Sequence, residues 1–227
     1  MFVCASTECF PELGPREQLE RLVDLEYTVV ELALHESGGW LKPSEVLADP
    51  ERAVNLCRGT HRMTVAALSV DIQAEGEAYY EQFSAICRLA KAIKVVTLVL
   101  PSSEMGTPFN EEIDRLQKLS SIASLEGAVV AMKTQVDRMS QDIDTSVLFC
   151  NNEPGLRITL DPSCMIYGAP SPRSYDKLLD KVQHVHLRDT SKNELQVRVG
   201  QGVPRAIVAD QTRIRQVLSN LISNAIK

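Results

Sequence analysis

The chain has no excess of positive charge, no Cys-x-x-Cys pair, no long apolar run and no low-complexity tract. Each absence excludes something. Lys and Arg number 24 against 30 Asp and Glu, a net charge of −6. No electrostatic footprint for nucleic acid exists on that balance. The six cysteines, Cys4, Cys9, Cys57, Cys87, Cys150 and Cys164, are scattered. Without a paired spacing they read as reduced core thiols rather than a structural zinc site or a thiol redox motif. No apolar run approaches the roughly 18 residues of a membrane span, so no membrane association is expected. The opening MFVCASTECF lacks a basic segment followed by a long apolar stretch, and a cytoplasmic protein is expected.

What is present is an ordinary globular composition, 44% apolar and 24% charged. Short β-rich runs alternate with helical patterns over the first 200 residues. The expected strands are Phe2 to Ser6, Thr28 to Leu34, Met63 to Val70 and Lys94 to Leu100. Three more follow at Ala128 to Gln135, Leu156 to Asp161 and His184 to Arg188. These runs are nearly continuous rather than alternating, as for parallel strands covered on both faces. Helices are expected at 16–24, 51–58, 75–92, 110–125 and 174–182, from apolar residues at three- and four-residue spacing. The stretch Glu36 to Pro50 reads as a long loop. It either shapes a pocket or is a surface loop.

Seven strands in β–α alternation imply a parallel sheet with right-handed crossovers. The spacing favours an α/β, (β/α) TIM-type barrel, incomplete because the eighth strand is missing. Function in such a barrel gathers at the C-terminal ends of the strands. Two of those ends stand out, TLDPSC with Asp161 and HVHLRD with His184, His186 and Asp189. His184 and His186 share a face of their strand, pointing either into the mouth or outward. Carboxylate and imidazole at one rim suit a divalent ion, Mn²⁺, Mg²⁺ or Zn²⁺.

VVELAL, GAVVAMKTQ, LRITLDPSCMIYG, HVHLRD and VRVGQG together resemble the xylose-isomerase-like barrels, the sugar phosphate isomerase/epimerase and endonuclease IV group. The resemblance covers residues 1–202. It implies a metal held by a glutamate ending strand five, an aspartate and a histidine after strand six, the second histidine of strand seven, and a glutamate on strand eight. Asp161 and His186 match two of these. Lys133 stands in place of the strand-five glutamate and Cys164 in place of the histidine. The metal ligands expected here are therefore Asp161 and His186, with Cys164 a further candidate if the ion is zinc. Lys133 would repel a cation and is expected to pair with Asp161 instead. A second reading makes Lys133 a base or Schiff-base former. Glu31, ending strand two, is a candidate for substrate contact or an ion-pair residue of the interior. The implied ligand is a sugar or sugar phosphate.

Residues 203–227 have a different character. PRAIVADQTRIRQVLSNLISNAIK resembles the asparagine box of histidine kinase ATPase domains. Ile214, Val217, Leu218, Leu221, Ile222 and Ala225 mark an amphipathic helix from Asp210, packing on the barrel. The resemblance places nucleotide-bound Mg²⁺ at Asn224. The glycine-rich boxes and lid that nucleotide binding requires are absent from the sequence, so no nucleotide is expected. A missing eighth strand leaves two edges to be solvated, filled by Arg205 to Ala209, or covered in a homodimer. Three functions follow: an isomerase- or epimerase-like barrel with a degraded metal site, an interaction module docking through the tail helix, or a fragment of a sensor kinase.

Overall fold

A computed structural model describes residues 3–60, 63–167, 174–188 and 190–195. The join near Gly202 and the expected tail helix lie outside the described residues. Seven strands form one parallel sheet in sequential order. They are β1 (Ala5–Ser6), β2 (Val29–His35), β3 (Thr64–Asp71), β4 (Thr97–Pro101), β5 (Val129–Lys133), β6 (Arg157–Leu160) and β7 (Val182–Val185). The order 1 to 7 with parallel neighbours throughout is a barrel's winding. Among the described residues β1 and β7 are its two edges and do not pair with each other.

Between the strands lie α1 (Pro15–Asp24), α2 (Pro43–Ala48), α3 (Pro50–Arg58), α4 (Gly76–Ile93), α5 (Phe109–Leu125) and α6 (Ile143–Asn152). Their starts follow from local chemistry. Asp49 accepts from the amide of Arg52 at 3.0 Å, with Pro50 in the first turn of α3. Asp142 accepts from the amide of Thr145 at 2.8 Å at the start of α6. Helix α4 ends at Lys94 in the left-handed region, φ 63°. That cap explains why β4 begins at Thr97 and not at Lys94, where the apolar run starts.

The sheet has two unlike faces. Leu32, Leu34, Leu68, Val70, Leu98, Leu100, Val130, Met132, Ile158 and Leu160 join the core under the helices. They meet Leu22, Phe83, Ile86, Leu116, Leu119 and Phe149 there. Each such side chain contributes about 1.5–3 kcal/mol by leaving water. By the two-residue period of a strand, the opposite face carries Glu31, Ala33, His35, Ser69, Thr97, Thr159 and Lys133. This smaller, more polar set lines the inside of the curl.

A buried polar network fixes the loop after β4. The Arg115 guanidinium grips Glu112 with two hydrogen bonds of 2.7 and 2.8 Å and donates to Tyr79 Oη at 2.9 Å and Pro101 O at 3.1 Å. Glu112, fully buried, also accepts from the amide and hydroxyl of Ser103. Burial opposes the charge on Arg115, but the bonds to Glu112 and Tyr79 outweigh it and raise its pKa further.

The expected loop at 36–50 contains α2. Trp40 is buried and its indole donates to Pro15 O at 3.0 Å. The segment thereby shapes an open groove of about 700 Å³ against α1 and α3, lined by Leu19, Trp40, Arg52 and Leu56 among others. None of the candidate site residues lines it.

Candidate metal centre

Strand β2 reads VVELALH, a strong apolar run with one acid inside it. Val30, Leu32 and Leu34 take the outer face, so Glu31 is turned inward and is only 2% exposed. A buried carboxylate costs several kcal/mol unless it is paired and hydrogen-bonded. Its partners arrive from the far end of the chain. His184 Nε2 donates to Glu31 Oε2 at 2.8 Å, and His186 Nε2 donates to the same oxygen at 2.9 Å. A carboxylate oxygen only accepts, so both imidazoles carry their proton on Nε2.

His184 lies in β7. His186 follows it, and its amide still donates to Leu160 O at 2.9 Å, which extends the pairing with β6. The two rings therefore share one face, and that face is the inner one. They stand edge to face with centroids 5.2 Å apart. Burial pushes the Glu31 pKa up, but the two imidazole hydrogen bonds outweigh it and hold the carboxyl well below its usual 4.5. Glu31 is also in register with Ser6 of the edge strand β1. The Glu31–histidine contact thus joins the β1 side of the sheet to its β7 side.

The donor atoms of Glu31, His184 and His186 lie within 4.8 Å of one another. Two imidazole nitrogens and one carboxylate oxygen make a donor set suited to Zn²⁺ or another first-row divalent ion with open positions. An ion there would take the place of the two Nε2 protons, each imidazole then carrying its one proton on Nδ1 and staying a neutral ligand. The residues fit a divalent cation.

The set expected from the sequence is arranged otherwise. Asp161 is 2% exposed and its carboxylate is committed. Oδ1 accepts from the amide and hydroxyl of Ser163, and Oδ2 accepts from Arg188 Nη2. The expected Lys133–Asp161 pair does not form, because Arg188 occupies that place. The planar guanidinium, two residues beyond His186, matches a carboxylate better than an ammonium does. Asp161 and His186 consequently belong to different groups of side chains. The Cys164 thiol is buried and donates to Asp161 O at 3.0 Å. Burial pushes its pKa up to about 11, so it is no ready thiolate ligand. Lys133 ends β5 in register with Pro101 and Thr159.

Elsewhere on the inner rim, His35 Nε2 meets Ser69 Oγ at 3.0 Å and His35 Nδ1 lies 3.5 Å from Glu8 Oε1. His184 was legible as the same-face partner of His186. Glu31 as their acceptor was not, although an acid inside VVELALH is itself a signal that partners must exist.

No protein family and no curated protein matches the chain at the level of sequence. Solved structures do match. A xylose isomerase-like TIM barrel protein from Mycobacterium smegmatis in complex with magnesium aligns with a TM-score of 0.67 at 13% identity. The alignment covers 82% of this chain and 74% of that one. The fold is that of the xylose-isomerase-like barrels. The IolI protein with a bound zinc atom aligns at 0.61 and 17% identity, covering 84% and 75%. The 3-keto-D-glucoside 4-epimerase YcjR from E. coli aligns at 0.61 and 14% identity, covering 83% and 79%. The resemblance of the tail to histidine kinases has no counterpart among these matches.

Proposed function

We propose that this barrel binds a sugar or sugar phosphate in a divalent-metal-dependent way, with the ion held by Glu31, His184 and His186. The observation that carries the reading is one buried carboxylate oxygen facing two imidazole nitrogens at 2.8 and 2.9 Å. Structures of like fold support it, one holding magnesium, one zinc, and one named as a sugar epimerase.

When bound, a divalent ion polarises a carbonyl or hydroxyl oxygen. The chain's own residues do the rest. Glu31 supplies negative charge from within the barrel, and the two histidines supply neutral donors on one strand. Three protein donors leave positions open for ligand oxygens. Arg188 and Asp161 form a neutral pair beside them.

The function assigned is binding without proton transfer. Lys133 stands where the family resemblance implies a glutamate, and the Asp161 carboxylate is already occupied by Ser163 and Arg188. Incubation of the metal-loaded protein with aldoses, ketoses and their phosphates in D₂O tests this. No deuterium is expected at the carbon beside the carbonyl. Enzymatic wash-in of deuterium would restore the isomerase or epimerase activity to this chain.

A further inference from the structure

Arg188, not Lys133, pairs with Asp161. Lys133 shares the inner face of β5 with Val129 and Ala131, while Val130 and Met132 pack outward. Its ammonium makes no ion pair or hydrogen bond among the described residues. The carboxylate expected to pair with it, Asp161, lies two residues past its register partner Thr159. Both Asp161 oxygens are engaged, one by Ser163 and one by Arg188.

Arg188 gives Asp161 only Nη2, so Nε and Nη1 have no partner among the described residues. Its side chain is 28% exposed, which leaves that edge of the guanidinium open to a ligand. At these strand ends Lys133 and Arg188 stand near one described carboxylate, Asp161, which is already engaged. Among the described residues no carboxylate is paired with the Lys133 ammonium there.

Of the other described acids of the rim, Glu31 is held by His184 and His186. Glu8 lies beside His35. Asp71, ending β3, is two strands away from β5, about 10 Å in the direction of strand spacing. Arg188 follows His186 by two residues, about 7 Å along an extended chain. A ligand with an oxygen at the Glu31–histidine centre and an acid group at its other end would reach this charge.

We propose that Lys133, with the open edge of Arg188, is an anion subsite that selects sugars bearing a phosphate or carboxylate. It rests on the reading of the mouth as a metal-dependent sugar site. Ammonium and guanidinium donors bind such groups through charge-assisted hydrogen bonds, which a neutral hydroxyl forms more weakly.

Titration calorimetry of the Zn²⁺-loaded protein with D-glucose 6-phosphate, D-gluconate and D-glucose tests the proposal, and the two acids separate phosphate from carboxylate. At low salt at least one acid should bind about tenfold or more tightly than glucose, the scale of one charge-assisted bond. Lys133→Met should abolish that preference, and Lys133→Arg should keep it. Lys133→Met should also leave the Zn²⁺-induced rise in melting temperature unchanged, which shows a folded protein with its ion. Equal binding of all three sugars, or an acid preference that survives Lys133→Met, overturns the anion subsite and leaves the metal site standing. An absent Zn²⁺ shift would instead overturn the metal reading. Inorganic phosphate alone then tests the subsite: stabilisation lost in Lys133→Met supports it, and none in the wild type overturns it.

Discussion

Glu31 and His186 are 155 residues apart in sequence and 2.9 Å apart in space, across the two edges that the sheet has among the described residues. Glu31 sits on β2, beside the edge strand β1, and His186 follows the other edge strand, β7. Side chains thus join two edges that no described backbone hydrogen bond joins. An ion at this point would bind function and closure together.

Closure should be visible in hydrogen exchange. Zn²⁺ binding is expected to slow amide exchange in β1 and β7 more than in the central strands β3 to β5. Mass-spectrometric exchange with and without Zn²⁺ checks this. Uniform slowing, or none at the edges, would separate ion binding from closure.

The acid limb of stability depends on Glu31. Its folded pKa is depressed, so below the usual 4.5 the unfolded chain takes up a proton that the folded chain refuses. Stability from this group is full above that value and is lost as pH falls towards the folded pKa. Glu31→Gln removes the group's titration. In metal-free buffer its melting temperature should fall less between pH 5 and pH 3 than that of the wild type, a range of ordinary carboxylate titration. Equal slopes would show that other groups set the acid limb.

The Arg188–Asp161 pair should matter more for folding than for the ion. Arg188→Ala leaves a buried carboxylate with only Ser163, and is expected to cost about 1.5–3 kcal/mol. The metal-induced gain should persist in the variant. Urea unfolding with and without Zn²⁺ gives both numbers, and a cost under about 0.5 kcal/mol would mark the pair as a surface bridge.

Glu112→Ala tests the buried network behind β4. It leaves Arg115 without its carboxylate, and losing one partner of a buried ion pair costs about 3–5 kcal/mol. Chemical denaturation should show that loss. An effect near zero would mean that water replaces Glu112 freely.

The strands and most helices were legible because parallel strands with two covered faces read as continuous apolar runs. Lys94 shows the limit: its run is apolar, yet a left-handed cap holds its first residues out of β4. Helix α2 went unread because Pro43 and the glycines before it look like loop residues. At the site, strand periodicity placed His184 and His186 together. It could not name Glu31, because which strand faces β7 across the curl depends on closure of the sheet. The partner expected for Asp161 was Lys133, and the structure has Arg188. Both are cations at strand ends, and the choice turns on reach and guanidinium geometry.

The central claim is that the ion belongs to Glu31, His184 and His186, and not to Asp161. Thermal unfolding with Zn²⁺, Mn²⁺ and Mg²⁺ tests it, using the wild type, Glu31→Gln, His186→Ala and Asp161→Asn. A ligand at 100 times its dissociation constant stabilises by about 2.7 kcal/mol, well within reach of a melt. The wild type and Asp161→Asn should gain stability with at least one of these ions, and Glu31→Gln and His186→Ala should lose that gain. A gain that survives Glu31→Gln and vanishes in Asp161→Asn, or no gain with any ion, would contradict the account.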